Sequence, residues 1–224
     1  MSESTRFTGF SPAALAFYEG LAADNSKAYW QAHKPVYDEQ VRGAMVALLA
    51  EFGALGEFKI FRPYNDVRFA KGRPPYKEQI GAVTENEAGS AFYVRLAADG
   101  LLVGAGHFHM ANDQLERFRA AVDDDARGNE IVAICDAVEK QGFTTGAMEE
   151  LKTAPRGYAK DHPRIALLRR KGLMASKAWE VAPWLHTRAV VKRVREAWDE
   201  LRPLTDWLDA HVGPSTLPPP DFDR

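Results

Sequence analysis

Residues 58–77 read FKIFRPYNDVRFAKGRPPYK, and this run is the strongest single indicator of both the fold class and a candidate site. It holds three Arg, three Lys and three Pro around a single acid, Asp66. Residues 58–61 have the apolar character of a strand, Gly72 permits a positive φ, and the Pro pair at 74 and 75 stiffens the exit. The run therefore predicts a stiffened, cationic loop between two strands.

Upstream of this run the sequence predicts helices. Ser11 followed by Pro12 is typical of a helix N-terminus, and a second helical stretch follows Asn25-Ser26. Apolar residues recur at helical spacing from Ser11 to Phe52. Pro35 lies inside that pattern and is expected to break or restart the helix.

Downstream of the run, two apolar segments at 91–96 and 101–107 flank a turn that contains Asp99-Gly100, which predicts a hairpin. Helices are expected from Asn112, near 130–141, and from the Asp-His-Pro sequence at 161–163. Short strand-like pieces fall around 143–145, 150–153 and 172–179. A long helix is expected to begin near Trp184 and to be kinked or divided at Pro203.

These elements predict an α+β fold, with a mainly antiparallel central sheet and helices packed on it. We expect a single domain over residues 1–212. The last residues, 213–224, are rich in Pro and are expected to be disordered.

The chain has 224 residues, of which 46% are hydrophobic, and that is enough to bury the core of one large domain. No run approaches the ~18 apolar residues of a membrane span, and the first ten residues lack the features of a signal peptide. Cys135 is the single cysteine, so an intramolecular disulfide and a zinc site of several thiolates are both excluded. We therefore expect a cytoplasmic protein without a membrane partner. The sequence does not determine its oligomeric state.

The net charge of −2 conceals two basic segments. Residues 62–77 sum to +4, and residues 152–177 sum to +7. If the two segments meet in space, they form one basic face on an acidic body; otherwise they are two separate solvated faces.

The same run carries a resemblance to a known family. It contains an F-R-x-x-x-D-x-R-F-x-K-x-x-x-P-Y-K block, made of Phe61, Arg62, Asp66, Arg68, Phe69, Lys71, Pro75, Tyr76 and Lys77. Downstream, a Pro-x-Gly-aromatic and Asp-His-Pro pattern is made of Pro155, Arg156, Gly157, Tyr158, Asp161, His162 and Pro163. In these features the chain resembles a bacterial domain-of-unknown-function family, number 2461, over about residues 7–212, with Pro63 and Arg73 as departures. The resemblance implies the fold and carries over no activity.

The block contains the residue types of an anion site, because Arg forks match carboxylate and phosphate oxygens. Asp66 can hold Arg62 or Arg68 in place, and Tyr64 or Tyr76 can stack on a ligand ring. The predicted ligand-binding set is Arg62, Asp66, Arg68, Lys71, Arg73, Tyr76, Lys77, Arg156 and Lys160. The alternative is that these charges form internal ion pairs while the aromatic residues join the core.

Candidates for chemistry are fewer. His162 or Asp66 can move a proton, with Asp161 either orienting His162 or capping a helix. His107 and His109 project to one face if their strand persists, which makes them weak candidates for metal ligands, and no metal is predicted. The sequence Gly104-Ala105-Gly106 lacks the third glycine of a dinucleotide fingerprint, so no cofactor is predicted.

Three classes of function remain open. The first is a protein that binds a small anionic ligand, bearing phosphate or carboxylate. The second is an enzyme that acts on such a substrate with His162 or Asp66. The third is a nucleic-acid-binding module, which the negative net charge disfavours without ruling it out.

Overall fold

A computed structural model describes residues 6–65, 72, 74–86 and 89–217. Within these residues the fold is α+β, and the strands form an antiparallel sheet of six in the order β1-β2-β3-β4-β6-β5. The predicted fold class is confirmed. The strands are β1 (Lys59–Ile60), β2 (Gln79–Glu85), β3 (Ala91–Ala97), β4 (Gly100–His107), β5 (Thr144–Gly146) and β6 (Leu173–Trp179).

Helices make up the rest of the regular structure. They are α1 (Pro12–Ala23), α2 (Lys27–Val36), α3 (Ala44–Ala50), α4 (Asn112–Asp123), α5 (Asp125–Lys140), α6 (Ile165–Leu168), α7 (Ala189–Glu200) and α8 (Arg202–His211). A π-helical segment, Tyr37–Gly43, joins α2 to α3. No described helix is both long enough and apolar enough to cross a membrane.

The first two helices begin where the sequence predicts. The Ser11 side chain accepts a hydrogen bond from the Ala14 amide at 3.3 Å, with Pro12 as the first helical residue. Ser26 caps α2 in the same way, accepting from the Tyr29 amide at 3.1 Å. Both caps satisfy an amide that the helix itself leaves unpaired.

Of the two outcomes expected at Pro35, a break or a restart of the helix, the break does not occur. Helical hydrogen bonding resumes at once, because the Tyr37 amide donates to the carbonyls of His33 and Lys34. The chain then widens into the π-helical segment instead of ending. Pro removes a single donor, and the packing of this block outweighs that loss.

The hairpin and the divided C-terminal helix are confirmed. β3 ends at Ala97 and β4 starts at Gly100, whose φ of 125° is left-handed backbone that favours glycine. Two predictions in the middle of the chain are wrong. Residues 150–153 form no strand beyond a bridge between Glu150 and Arg170, and the helix expected from Asp161 begins at Ile165.

The described residues form two compact units, each assembled from three stretches of chain. The first unit comprises Met1–Thr84, Tyr93–Val103 and Ala178–Ala197; the second comprises Glu85–Phe92, Gly104–Lys177 and Trp198–Arg224. Fully buried residues of the first include Phe10, Tyr18 and Met45, and those of the second include Phe118 and Leu168. The expectation of a single domain over 1–212 stays a prediction.

The start of the expected disordered tail is bonded to the second unit. Asp113 accepts hydrogen bonds from the Ser215 hydroxyl at 2.9 Å and from the Thr216 amide at 2.8 Å. These bonds hold the pKa of Asp113 well below its ordinary value, the Thr216 amide contributing most. Residues 218–224 lie outside the described range, and the expectation of a disordered tail over 213–224 stays a prediction.

A close approach of backbones near the start of the first unit provides a test of this packing. Gly9 has φ 129°, and a Cβ placed there would lie 2.3 Å from the carbonyl carbon of His186. We expect Gly9→Ala to lower the free energy of unfolding by roughly 2 kcal/mol or more, measured by urea denaturation. Gly53→Ala is the control, since a Cβ there meets nothing within 4 Å. Equal stability of the two variants would contradict the packing.

Candidate functional site

The two ends of the basic loop are held together as a short paired stem. We use "stem" for residues 61–65 and 74–77, and "basic loop" for residues 66–73 between them. The Asn65 amide donates to the Pro75 carbonyl at 2.9 Å, and the Lys77 amide donates to the Pro63 carbonyl at 2.7 Å. The predicted ligand residues Asp66, Arg68, Lys71 and Arg73 lie outside the described residues.

Two asparagine side chains lock the stem. Asn65 donates its side-chain amide to the Pro74 carbonyl at 2.8 Å and to the Tyr76 carbonyl at 3.2 Å. Asn25, in the link between α1 and α2, donates to the Tyr76 carbonyl at 3.0 Å and accepts from the Tyr76 amide at 3.1 Å. The Asn25 side chain thus bonds to the Tyr76 backbone as a neighbouring strand would. This attaches the stem to the link between α1 and α2.

Tyr76 has a different place from the one predicted. Its ring stacks on Trp30 with the centroids 4.5 Å apart and the planes 6° from parallel. Tyr76 is 7% exposed and Trp30 is 4% exposed. Because Trp30 covers one ring face, Tyr76 helps to position the stem, and its contact with a ligand stays a prediction.

A cleft of about 310 Å³ opens beside the stem, and we call it the aromatic–basic cleft. Its lining combines residues of α2, the π-helical segment and the stem: Trp30, Lys34, Tyr37, Asp38, Arg42, Ile60, Phe61, Arg62, Pro63 and Tyr64. Lys34, Arg42 and Arg62 are exposed cations, against the single acid Asp38. The lining therefore carries a formal charge of +2.

The π-helical segment brings two of these residues to one side. Tyr37 and Arg42 are five residues apart, which is the hydrogen-bonding interval of a π-helix, and both line the cleft. Burial raises the pKa of Tyr37 to about 12, while Arg42 acts in the opposite direction. Single π-helical turns are frequent at functional sites, so this segment marks the cleft independently of its charge.

Lys77 adds a further cation near the cleft. Its ammonium lies 5.7 Å from the ring centroid of Phe61. Partial burial lowers the pKa of Lys77, and the charge of Arg62 lowers it further. Lys77 and Arg62 are therefore close enough to repel one another electrostatically, as two cations that bind the same anion would.

Two larger cavities of the first unit suit an anion less well. One, of about 650 Å³, is lined by Lys77 and Arg95 but also by Glu78 and Asp99. Arg95 is already bound there to Asp99 at 3.0 Å and to Gln79 at 3.2 Å. The other, of about 450 Å³, has Arg6 opposed by Glu39. Neither cavity has the excess of positive charge that the aromatic–basic cleft carries.

The second basic segment is largely bound within its own unit. Arg169 donates to the Leu151 carbonyl at 2.6 Å, Lys171 pairs with Glu149 at 2.9 Å, and Lys177 donates to the Gln141 carbonyl at 2.8 Å. Arg156 and Lys160 are exposed and make no ion pair with any acid in the described residues. Of the predicted ligand residues, these two belong to the second unit.

Arg164 is the clearest case of a structural cation in that segment. It is 8% exposed and donates to the carbonyls of Val122 at 2.6 Å and Asp123 at 2.9 Å. It also donates to Asn129 at 3.0 Å, so one side chain closes the junction of α4 with α5. Gly128 leaves room for it, since a Cβ there would lie 2.5 Å from Arg164 Nε.

His162 is held at both ring nitrogens. Nδ1 accepts from the Arg164 amide at 3.0 Å, which places the proton of a neutral ring on Nε2, 3.1 Å from Asp123 Oδ1. The partner is Asp123 and not the neighbouring Asp161, and α6 has no side-chain cap. Both ring nitrogens of His162 therefore have partners within the protein, and its part in proton transfer stays a prediction.

His107 and His109 do not form a shared site. β4 ends at His107, so the strand does not persist; His107 is 2% exposed and His109 is exposed. His107 Nε2 lies 3.5 Å from Asp209 Oδ1, which also accepts from the Ser90 hydroxyl at 2.5 Å. In the part of the chain that the structure describes, no three His, Cys, Asp or Glu side chains are grouped to hold a metal ion.

The sequence interpretation missed half of the cleft. The segment up to Phe52 was assigned to helices with no candidate site residue in it, although Trp30, Lys34, Tyr37 and Arg42 line the cleft together. The available signal was the spacing of Trp30, Lys34 and Tyr37 at intervals of four and three residues, which places an aromatic and a cationic stripe on one helix face.

We expect Arg164→Met to lower the free energy of unfolding by roughly 3 kcal/mol, because it leaves buried carbonyls without donors. Arg202→Met is the control: that residue is 63% exposed and pairs with Asp199 at the surface. Urea denaturation measures both. If Arg164→Met lowers the free energy of unfolding no more than Arg202→Met does, the junction of α4 with α5 does not depend on Arg164.

His107 predicts a pH dependence of stability. Burial holds its pKa below the ordinary value; Asp209 opposes this shift, and Arg117 adds to it. Because the unfolded chain binds the proton more readily, the stability is fully present above about pH 6.5 and is lost as pH falls from there. His107→Gln should remove a slope of at most about 1.4 kcal/mol per pH unit from the unfolding free energy between pH 7 and 5. His109→Gln, the control, should keep it; an unchanged slope in His107→Gln would contradict the assignment.

Comparison with known proteins places this fold and cleft in a family. A family model described as "Conserved hypothetical protein (DUF2461)" matches residues 13–207, a range that contains the stem, the basic loop and all of the cleft lining. Among curated proteins, none matches the chain significantly. The family's description specifies no ligand or reaction. The resemblance that the sequence suggested is confirmed, and the chain belongs to the DUF2461 family.

Proposed function

We propose that the protein binds a small anionic ligand, bearing phosphate or carboxylate, in the aromatic–basic cleft. One observation carries this proposal: three exposed cations, Lys34, Arg42 and Arg62, surround a cleft of about 310 Å³ that holds one acid, Asp38. That acid is already engaged in an ion pair with Lys34 one helical turn away. Arg42 and Arg62 line the same cleft, so the cations of its lining outnumber its acids by two.

The floor of the cleft strengthens this electrostatic attraction. Trp30 and Tyr37 line the cleft and are each 4% exposed, so buried aromatic rings form its floor. A charge pair beside an apolar floor interacts more strongly than one in bulk water, because the local dielectric constant is lower. Guanidinium forks also match phosphate and carboxylate oxygens in two simultaneous hydrogen bonds.

The basic loop is proposed to extend this site. Pro63 and Tyr64, in the stem at the loop's base, line the cleft. Arg68, Lys71 and Arg73 follow within the next nine residues of the chain and enter the proposal from the sequence alone, as does Asp66. Arg156 and Lys160 are not required by it.

The two other classes receive less support. An enzyme would need a proton-transfer group, and His162 has both nitrogens engaged, which leaves Asp66 as the candidate. A nucleic-acid-binding module would use the same cations, against a net charge of −2. We also propose a cytoplasmic location. Cys135 is a free, buried cysteine, and disulfides are typical of secreted proteins but rare in cytosolic ones.

The test is a thermal-shift and calorimetry screen of the purified protein with phosphorylated sugars, nucleotides, carboxylates and short oligonucleotides, at low and high salt. A ligand present at a hundred times its dissociation constant should stabilise the protein by about 2.7 kcal/mol. In the double variant Arg42→Gln, Arg62→Gln, affinity should fall about tenfold or more while unfolding changes little, because both side chains are exposed.

Lys192→Gln is the matched control, since its side chain is 78% exposed and it does not line the cleft. Its affinity should equal that of the unsubstituted protein. The proposal is wrong if no small anion in the screen binds, or if the hits bind the double variant unchanged. Binding by oligonucleotides alone, with affinity that falls steeply with salt, would favour the nucleic-acid alternative.

A further inference from the structure

Two aromatic rings of the cleft reach solvent while the other two form its floor. Phe61 is 37% exposed and Tyr64 is 47% exposed. Large exposed apolar side chains are few among the described residues, and these two lie three positions apart in one cleft. Exposed apolar surface that is gathered beside polar groups is typical of a binding site.

Each exposed ring is backed by another ring. The centroid of Tyr64 lies 5.8 Å from that of Trp30 and 5.5 Å from that of Tyr76. The centroid of Phe61 lies 6.2 Å from that of Tyr93. This backing restricts the rotamers of both rings before any ligand arrives, so stacking on them costs little conformational entropy.

Two cationic side chains lie near these exposed rings. Arg62 lies between Phe61 and Tyr64 in the chain and lines the same cleft. On the other strand of the stem, the Lys77 ammonium is 5.7 Å from the Phe61 centroid. The cleft therefore presents two recognition surfaces at once, one for a π-face and one for negative charge.

We propose that the ligand of this cleft joins a planar aromatic ring to an anionic group, with the ring stacked on Tyr64 and Phe61 and the anionic group bound by Arg42 and Arg62. This inference rests on the proposed function and specifies its ligand class. The volume of about 310 Å³ is at the lower end of ligand sites. It accommodates one ring system with one anionic group, as in a nucleoside monophosphate or an aromatic carboxylate.

The same chemistry occurs in a free nucleotide and in the end of a single nucleic-acid strand. Both present a base that can stack on aromatic side chains and a phosphate that can bind Arg. The two sources differ in length and salt dependence: binding of a strand strengthens with additional nucleotides and weakens steeply with salt.

Calorimetry with matched probes tests the inference. One pair is adenosine monophosphate and ribose 5-phosphate, which differ by the base; the other is indole-3-acetate and acetate, which differ by the indole. In at least one pair the member with the ring should bind about tenfold or more tightly than the member without it, because stacking of a base on an aromatic side chain is worth that much. Adenosine, which lacks the anion, should bind more weakly than adenosine monophosphate.

Variants of Tyr64 locate the effect. Tyr64→Leu and Tyr64→Phe both remove the hydroxyl group and both keep apolar packing against Trp30, so the two differ in the aromatic ring. Tyr64→Leu should lose the preference for the ring-bearing probe while its affinity for ribose 5-phosphate stays the same, and Tyr64→Phe should retain that preference. Phe61→Leu gives an independent reading if a Tyr64 variant does not fold.

The outcomes separate this inference from the function on which it rests. If in both pairs the member without the ring binds as tightly as the member with it, and Tyr64→Leu changes none of these affinities, the cleft binds anions without recognising a ring and the inference is wrong. If no probe of either pair binds, the proposed function fails with it. A five-nucleotide single strand with a 5′-phosphate, titrated at two salt concentrations, distinguishes a strand end from a free nucleotide.

Discussion

The stack of Trp30 on Tyr76 is the contact on which the rest of the first unit's site depends. It joins a helix to the base of the basic loop, with ring centroids 4.5 Å apart. Asn25 adds two hydrogen bonds to the backbone of the same tyrosine, at 3.0 and 3.1 Å. Because both contacts converge on Tyr76, the stem has one position relative to α2, and the cleft between them has a defined shape.

That shape collects like charges, which is unfavourable for the folded chain by itself. Lys34, Arg42 and Arg62 share the cleft with one acid, and Arg62 contributes to the lowered pKa of Lys77. Arg188, by comparison, forms a bidentate pair with Glu51 at 2.6 and 2.8 Å, and this pair lowers the pKa of Glu51. A surplus of cations confined to one cleft is what a site for an anion requires.

The second basic segment is bound within the protein to an extent that its sequence does not indicate. In residues 152–177 the guanidinium of Arg164 is buried against backbone carbonyls, and Arg169 and Lys171 are also bound internally. Segment charge therefore overestimated the surface available to a ligand there. Whether an Arg faces water or the ends of two helices depends on long-range packing, which composition does not report.

The sequence by itself determined the elements whose signals are local: the caps at Ser11 and Ser26, the turn before Gly100, the division of the last helix near Pro203, and the α+β class. Each of these follows from backbone preferences within a few residues. Only the tertiary structure decided that Tyr76 is a packing residue and that Arg42 belongs to the cleft. The stack on Trp30 joins residues 46 positions apart, and the π-helical segment sets which side of the helix Arg42 occupies. Local patterns contain no record of either, because side-chain partners distant in the chain are chosen by packing.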